Sequence, residues 1–301
     1  MNVFKLMLRV AVLGMLISGM VGGSGTVFAK EDSTGTEVNI RVMTYNIHAG
    51  AGSDGVYDTE RIAKVIEESG AEIIGLQEVD VHWGARSNYD NIVKDIAEQL
   101  DMHYFFAPIY DFDPPSEDTP RRQFGVAVLS KYPILQATNH EITRLSTQNA
   151  EPKPTPSPGF AEAIINVNGK IVPFYVTHLD YRGDPTVRMI QVDDMLNIFE
   201  DQAGDKILVG DMNAIPNAPE LSPLFDNFTD AWSINPDDSP GFTYSALSPS
   251  KRIDYIFTSD KMTIQHSEVL STLASDHLPV IADITLARGN NGPILKGDEL
   301  P

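Results

Sequence analysis

Cysteine is missing from all 301 residues. That excludes disulfides and thiolate-bound zinc, so stability has to come from the core, with help from a bound metal where one is held. Basic residues are scarce as well: 22 Lys and Arg face 42 Asp and Glu, for a formal charge of −20. Such a chain has no broad electrostatic footprint for a polyanion, and only a local basic patch or a bound cation would attract one. Long apolar runs are confined to residues 10–21, and no 20–50-residue repeat is present, which argues against a membrane bundle or a solenoid.

That one apolar run follows Lys5 and Arg9 and leads to Val27-Phe28-Ala29. A positive start, a short apolar stretch and a small-residue exit are the features of a cleavable export signal over residues 1–29. Its removal takes away Lys5 and Arg9 and no acid, leaving about −22 and predicting a secreted protein. Residues 30–37 form a polar linker, 38–286 the folded domain and 287–301 a flexible tail.

Within the domain, Val38, Ile40 and Val42 alternate with polar residues, predicting a strand that runs into Thr44-Tyr45-Asn46. Asp58 is placed to cap a helix with Ile62, Val65 and Ile66 on one face, stopped by Gly70. Further strands are expected at 73–76, 124–129, 161–167, 171–177, 206–210, 253–258 and 279–285, with helices at about 91–100 and from Asp184-Pro185 onward. The elements mix without strict alternation, which favours two packed sheets flanked by helices over a doubly wound parallel sheet. The proline-bearing stretches 111–122 and 146–158 are expected to be surface loops. Tyr104-Phe105-Phe106 with Trp83 reads as an aromatic cluster, a core feature more often than a membrane anchor.

Oxygen donors stand at the ends of several predicted strands: Asn46, Glu78, Asp211, Asn213 and Asp276. One alone is usually a turn residue. Five together suit a hard cation such as Mg²⁺, which needs only one or two carboxylates; Glu78 is the first choice as ligand. His178 and His277 are the candidate proton carriers. Asp254, an acid inside the apolar strand Ile253-Asp254-Tyr255-Ile256-Phe257, is the candidate partner that fixes the tautomer of His277; the plainer alternative pairs Asp254 with Arg252. Arg182, four residues after His178, and His48, two after Asn46, are weaker substrate-binding candidates.

Six segments then occur in a recognisable order: Thr44-Tyr45-Asn46-Ile47-His48, Leu76-Gln77-Glu78-Val79-Asp80, Thr177-His178-Leu179, Gly210-Asp211-Met212-Asn213, Arg252-Ile253-Asp254-Tyr255-Ile256 and Ser275-Asp276-His277-Leu278-Pro279. In this order the chain resembles the endonuclease/exonuclease/phosphatase superfamily over about residues 38 to 286, closest to its small bacterial metal-dependent hydrolases. The resemblance implies a DNase I-like four-layer α/β/β/α sandwich and Mg²⁺- or Mn²⁺-dependent cleavage of a phosphoester P–O bond. It implies Glu78 as metal ligand with Asn46 and Asp276 beside it. Asp211 and Asn213 would position water and a phosphate oxygen, His277 held by Asp254 would act as base or phosphate-stabilising partner, and His178 would contact the phosphate or assist the leaving oxygen. The implied substrate is a phospholipid head group, a sugar phosphate or a nucleic acid, acted on by a monomer with no stable protein partner. A secreted endonuclease is the alternative within this class, and a surface binding module with a vestigial site is the alternative outside it.

Overall fold

The computed structural model describes residues 37–286 except 201–203 and 237. The segments assigned to an export signal, to a linker up to residue 36 and to a tail lie outside the described residues. In chain order the strands are β1 (Val38–Asn46), β2 (Ile73–Val81), β3 (His103–Phe112), β4 (Arg122–Ser130), β5 (Ile134–Arg144), β6 (Thr155–Val167) and β7 (Lys170–His178). They continue with β8 (Ile207–Asp211), β9 (Thr229–Asp230), β10 (Asp254–Thr258), β11 (Thr263–Val269) and β12 (Val280–Leu286). The helices are α1 (Thr59–Ser69), α2 (Ile92–Leu100), α3 (Thr186–Glu200) and α4 (Ser222–Asn227).

Two six-stranded mixed sheets result, ordered β11-β12-β1-β2-β4-β3 and β5-β6-β7-β8-β10-β9. Strand alternation sorts the side chains into layers. Ile40 and Val42 of β1 face the inter-sheet core with Val126, Val176 and Val209. Met43 and Tyr45 point the other way, onto Ile62 and Ile66 of α1 and Val93 and Ile96 of α2. On the far side, Tyr175, Leu208 and Phe257 pack under Val192, Met195 and Phe199 of α3 and Leu224 of α4. The layers are therefore α/β/β/α, as expected. Gly75 lies where the sheets approach closely: a Cβ there would sit 2.3 Å from a methyl of Val209 and 2.9 Å from one of Val176.

Local signals explain the outer helices. The Asp58 carboxylate accepts the Arg61 N–H at 3.0 Å, and Gly70 closes α1 in the left-handed region. Asn91 caps α2 in the same way.

Four strands, β3, β5, β9 and β11, lie outside the expected set. The stretch 146–158 is only partly a loop, because β6 already begins at Thr155. Its prolines are tolerated there because β6 overshoots β7: pairing with β7 starts at Ala161, and residues 155–160 pair only with β5. Likewise, Asp111 and Phe112 belong to β3 and Arg122 to β4, so the loop between them is shorter than expected.

Candidate active site

Each sheet contains one parallel pair, β1 with β2 and β7 with β8, joined by α1 and α3 respectively. The carboxyl ends of parallel strands are the usual place for a ligand in such sheets. Asn46 ends β1, His178 ends β7 and Asp211 ends β8. β10 runs antiparallel to β8, so its first residue, Asp254, lies directly opposite Asp211. β12 runs antiparallel to β1, which brings Asp276 and His277, just ahead of it, to the same end. Glu78 arrives by a different device. The β2–β4 register slips by one residue between Leu76 and Val79, and Glu78 takes a left-handed φ of 55° inside that bulge.

The groups meet on one oxygen. Asp211 Oδ2 accepts the Asn46 amide at 3.1 Å and lies 3.5 Å from His178 Nε2 and 3.7 Å from His277 Nε2. The same Asn46 nitrogen reaches Glu78 Oε1 at 3.2 Å, so one amide links two carboxylates. His48 donates its backbone N–H to Asn46 Oδ1 at 3.1 Å, and this bond orients the amide. His277 Nδ1 bonds Asp254 Oδ2 at 2.9 Å, whereas Arg252 is occupied by Asp230 at 2.6 Å. Asn213 donates its backbone N–H to Asp211 Oδ1 and its side-chain amide to the Leu179 carbonyl. Ser275 fastens the Asp276-His277 turn to the end of β1, its hydroxyl donating to the Asn46 carbonyl at 2.7 Å. His48 Nδ1 stands 3.6 Å from Asp276 Oδ1. Glu78, His178, Asp211, Asn213, Asp276 and His277 line a single cavity of about 700 Å³.

Arg182 does not join them. Its guanidinium bonds the Asp180 carboxylate and the Leu145 and Ser146 carbonyls; Asp180 and Leu145 line the cavity, but Arg182 does not. The aromatic grouping also differs from the expected one. Trp83 packs with Tyr110, Phe112 and Phe124 at centroid distances of 5.6–6.1 Å, while Tyr104 is exposed and Phe105 and Phe106 face opposite layers. The reason is a bulge at Ile109, which turns the end of β3 so that Tyr110 falls opposite Phe124. Tyr110 and Phe124 then form one wall of the cavity. Tyr244, whose ring centroid lies 4.8 Å from that of His277, and Arg144 also line it. Neither carries a sequence signal, because each reaches the site through tertiary pairing alone.

The Endonuclease/Exonuclease/phosphatase family model matches residues 43–277. The chain belongs to this family. An endonuclease/exonuclease/phosphatase from Beutenbergia cavernae has 26% identity and a TM-score of 0.68, over 83% of this chain and 72% of that one. The mannosyl-6-phosphatase of Bacteroides thetaiotaomicron has 18% identity and a TM-score of 0.63, over 82% and 100%. The human nocturnin catalytic domain, solved with bound sulfate, has 20% identity and a TM-score of 0.61, over 83% and 96%. Members of the family are phosphoester hydrolases, and the family generally depends on a divalent metal.

The donor set suits such an ion. Glu78, Asp211 and Asp276 bring carboxylate oxygens to one cavity, and Glu78 and Asp211 share the Asn46 amide as a donor. Asp211, Asp254 and His277 also come close enough to hold a cation. His277 argues against that trio. Burial lowers its pKa, but Asp254 and Asp211 outweigh burial and raise it to about 10. A hard cation also prefers oxygen donors to an imidazole nitrogen. The acids that face the cavity are Glu78, Asp211 and Asp276, and of these the resemblance implies Glu78 and Asp276 as ligands. In this arrangement Asn46 acts as a bridge, and it would offer an oxygen only with its amide turned over. The Asp211 carboxylate is pushed above the usual range, by burial first and by the Asp254 charge next.

Proposed function

We propose that this chain is an exported, Mg²⁺- or Mn²⁺-dependent phosphodiesterase that cleaves a P–O bond by water attack. The observation that carries the reading is the convergence of two imidazoles and one amide on the Asp211 carboxylate, with Glu78 sharing that amide. When bound, the divalent ion would neutralise charge on the phosphoryl oxygens as a Lewis acid, held by Glu78 and Asp276.

The chain's own residues divide the remaining work. Asp211, with its proton affinity raised by burial, takes the proton from the attacking water as the water oxygen bonds phosphorus. His277 is bonded through Nδ1 to Asp254, which against the effect of burial raises its pKa, and it donates from Nε2 to a phosphoryl oxygen. His178, on the other side of Asp211, is placed to protonate the leaving oxygen as its bond to phosphorus breaks. The Asn213 backbone N–H holds Asp211 Oδ1 and leaves Oδ2 turned to the two rings.

Export rests on Lys5, Arg9 and the apolar run ahead of Ala29. The acidic balance favours a small phosphoester or head group over a nucleic acid. The deciding experiment is hydrolysis of bis(p-nitrophenyl) phosphate by protein lacking residues 1–29. Turnover is expected with Mg²⁺ or Mn²⁺ and none in EDTA. Turnover that EDTA leaves intact, or that survives His277→Ala at full rate, would overturn the assignment. Sugar phosphates belong in the follow-up panel, given the activity named for the Bacteroides relative.

A further inference from the structure

Beside the catalytic cavity lies a smaller one of about 260 Å³, and the two share Ile109, Tyr110 and Arg144 as wall residues. The smaller cavity adds Lys153, Asn149 and Thr155, and no carboxylate lines it. In a chain of formal charge −20, a pocket with two cations and no acid runs against the average.

Arg144 is the unusual member. It ends β5 and is only 9% exposed. Its Nε donates to the Pro158 carbonyl at 2.9 Å, Nη2 to Gly159 at 2.8 Å and Nη1 to His178 at 3.1 Å. A guanidinium carries five N–H bonds, so two are left over. Other arginines of this region are matched by acids: Arg182 by Asp180, Arg188 by Glu220 and Arg252 by Asp230. Arg144 forms no ion pair among the described residues, and Lys153 forms none either. Burial pushes the Arg144 pKa down to about 10, against the upward pull of Tyr110 and Asp180, which still leaves a cation at neutral pH. The chain is tight here: Gly159 has φ +114°, and a Cβ there would stand 2.2 Å from Ile109 Cγ1 and 3.1 Å from Arg144 Nη2. Burying a cation among carbonyls, with Asp180 acting only from beyond ion-pair distance, is costly unless an anion completes the site.

We propose that Arg144 and Lys153 form a second anion subsite that takes a non-reacting phosphate of the substrate, so that the preferred substrate carries two phosphate groups. This deepens the hydrolase reading and rests on it. Arg144 holds the main-chain oxygen of His178, so the second phosphate would sit next to the reacting one. The plainer role, pinning the β5–β6 hairpin to the end of β7, requires no selectivity between ligands.

Binding separates the two roles without relying on turnover. Isothermal titration in EDTA compares phosphate with pyrophosphate, fructose 6-phosphate with fructose 1,6-bisphosphate, and adenosine 3′-monophosphate with adenosine 3′,5′-bisphosphate. At least one doubly phosphorylated ligand is expected to bind tenfold or more tighter than its partner, although the negative net charge of the protein opposes it. That advantage should fall at least fivefold in Arg144→Gln and in Lys153→Ala; the exposed Lys153 variant keeps the test open if the buried one fails to fold. No advantage in any pair, or one that survives Lys153→Ala in full, overturns the subsite. Loss of aryl-ester hydrolysis would instead strike the hydrolase assignment, so the two failures are distinguishable.

Discussion

Asp254 does not itself line the cavity, yet it bonds His277, the ring that faces Asp211. Asp254→Asn keeps the shape and removes the charge. Its kcat on bis(p-nitrophenyl) phosphate should fall by about 10²–10⁴-fold with a smaller change in KM, as expected when a catalytic imidazole loses its carboxylate partner. A variant within threefold of wild type would mean that the pair is only structural. Glu78→Gln tests a different property. It keeps the acceptor for Asn46 but loses a charge that would hold the cation. The Mg²⁺ concentration for half-maximal activity should rise by at least tenfold, read from a metal titration; an unchanged midpoint would remove Glu78 from the ligand set. Ser275 works by position, since its hydroxyl ties the Asp276-His277 turn to the Asn46 carbonyl. Ser275→Ala leaves that buried carbonyl short of a partner and should cost about 1–3 kcal/mol in chemical denaturation.

At the level of elements, the contact between sheets is the sensitive point. Gly75→Val would drive a side chain into Val209 and Val176, forcing the sheets apart. Overpacking of this kind costs about 1–3 kcal/mol or more, which for a domain of this size lowers the melting temperature by roughly 3–10 °C. An unchanged melting temperature would contradict the packing described here. Buried strands with a clean apolar signal, such as β1, β2, β7, β8 and β12, are legible in the sequence. β3 and β11 are not, because both are edge strands with exposed, mixed faces and neither shows simple alternation. β5 is an edge strand too, and two register shifts break its period. The prolines of β6 read as loop because their tolerance depends on where β7 stops, which only the tertiary arrangement decides.

For the whole molecule, the charge of −20 makes a prediction of its own. Approach of an anionic phosphodiester is opposed by the general field, so kcat/KM on the aryl ester should rise as NaCl goes from 20 to 150 mM and screens that repulsion. A fall over the same range, or DNA cleavage that outpaces the aryl ester, would favour the nuclease alternative. The Asn46, Glu78, His178, Asp211, Asp254 and His277 positions are legible because each stands beside a short apolar run that becomes a central strand. Tyr110, Arg144 and Tyr244 are not, since a bulge, an edge strand and a loop bring them in from segments with no such mark. The pairing of β12 with β1 has a temporal consequence. A ribosome delivers the Asn46 amide of β1 and the Glu78 carboxylate of β2 early, but Asp276 emerges 230 residues after the first and 198 after the second. Until that last strand docks, the cavity lacks both Asp276 and His277, so a chain that stops short of residue 276 has only part of the site.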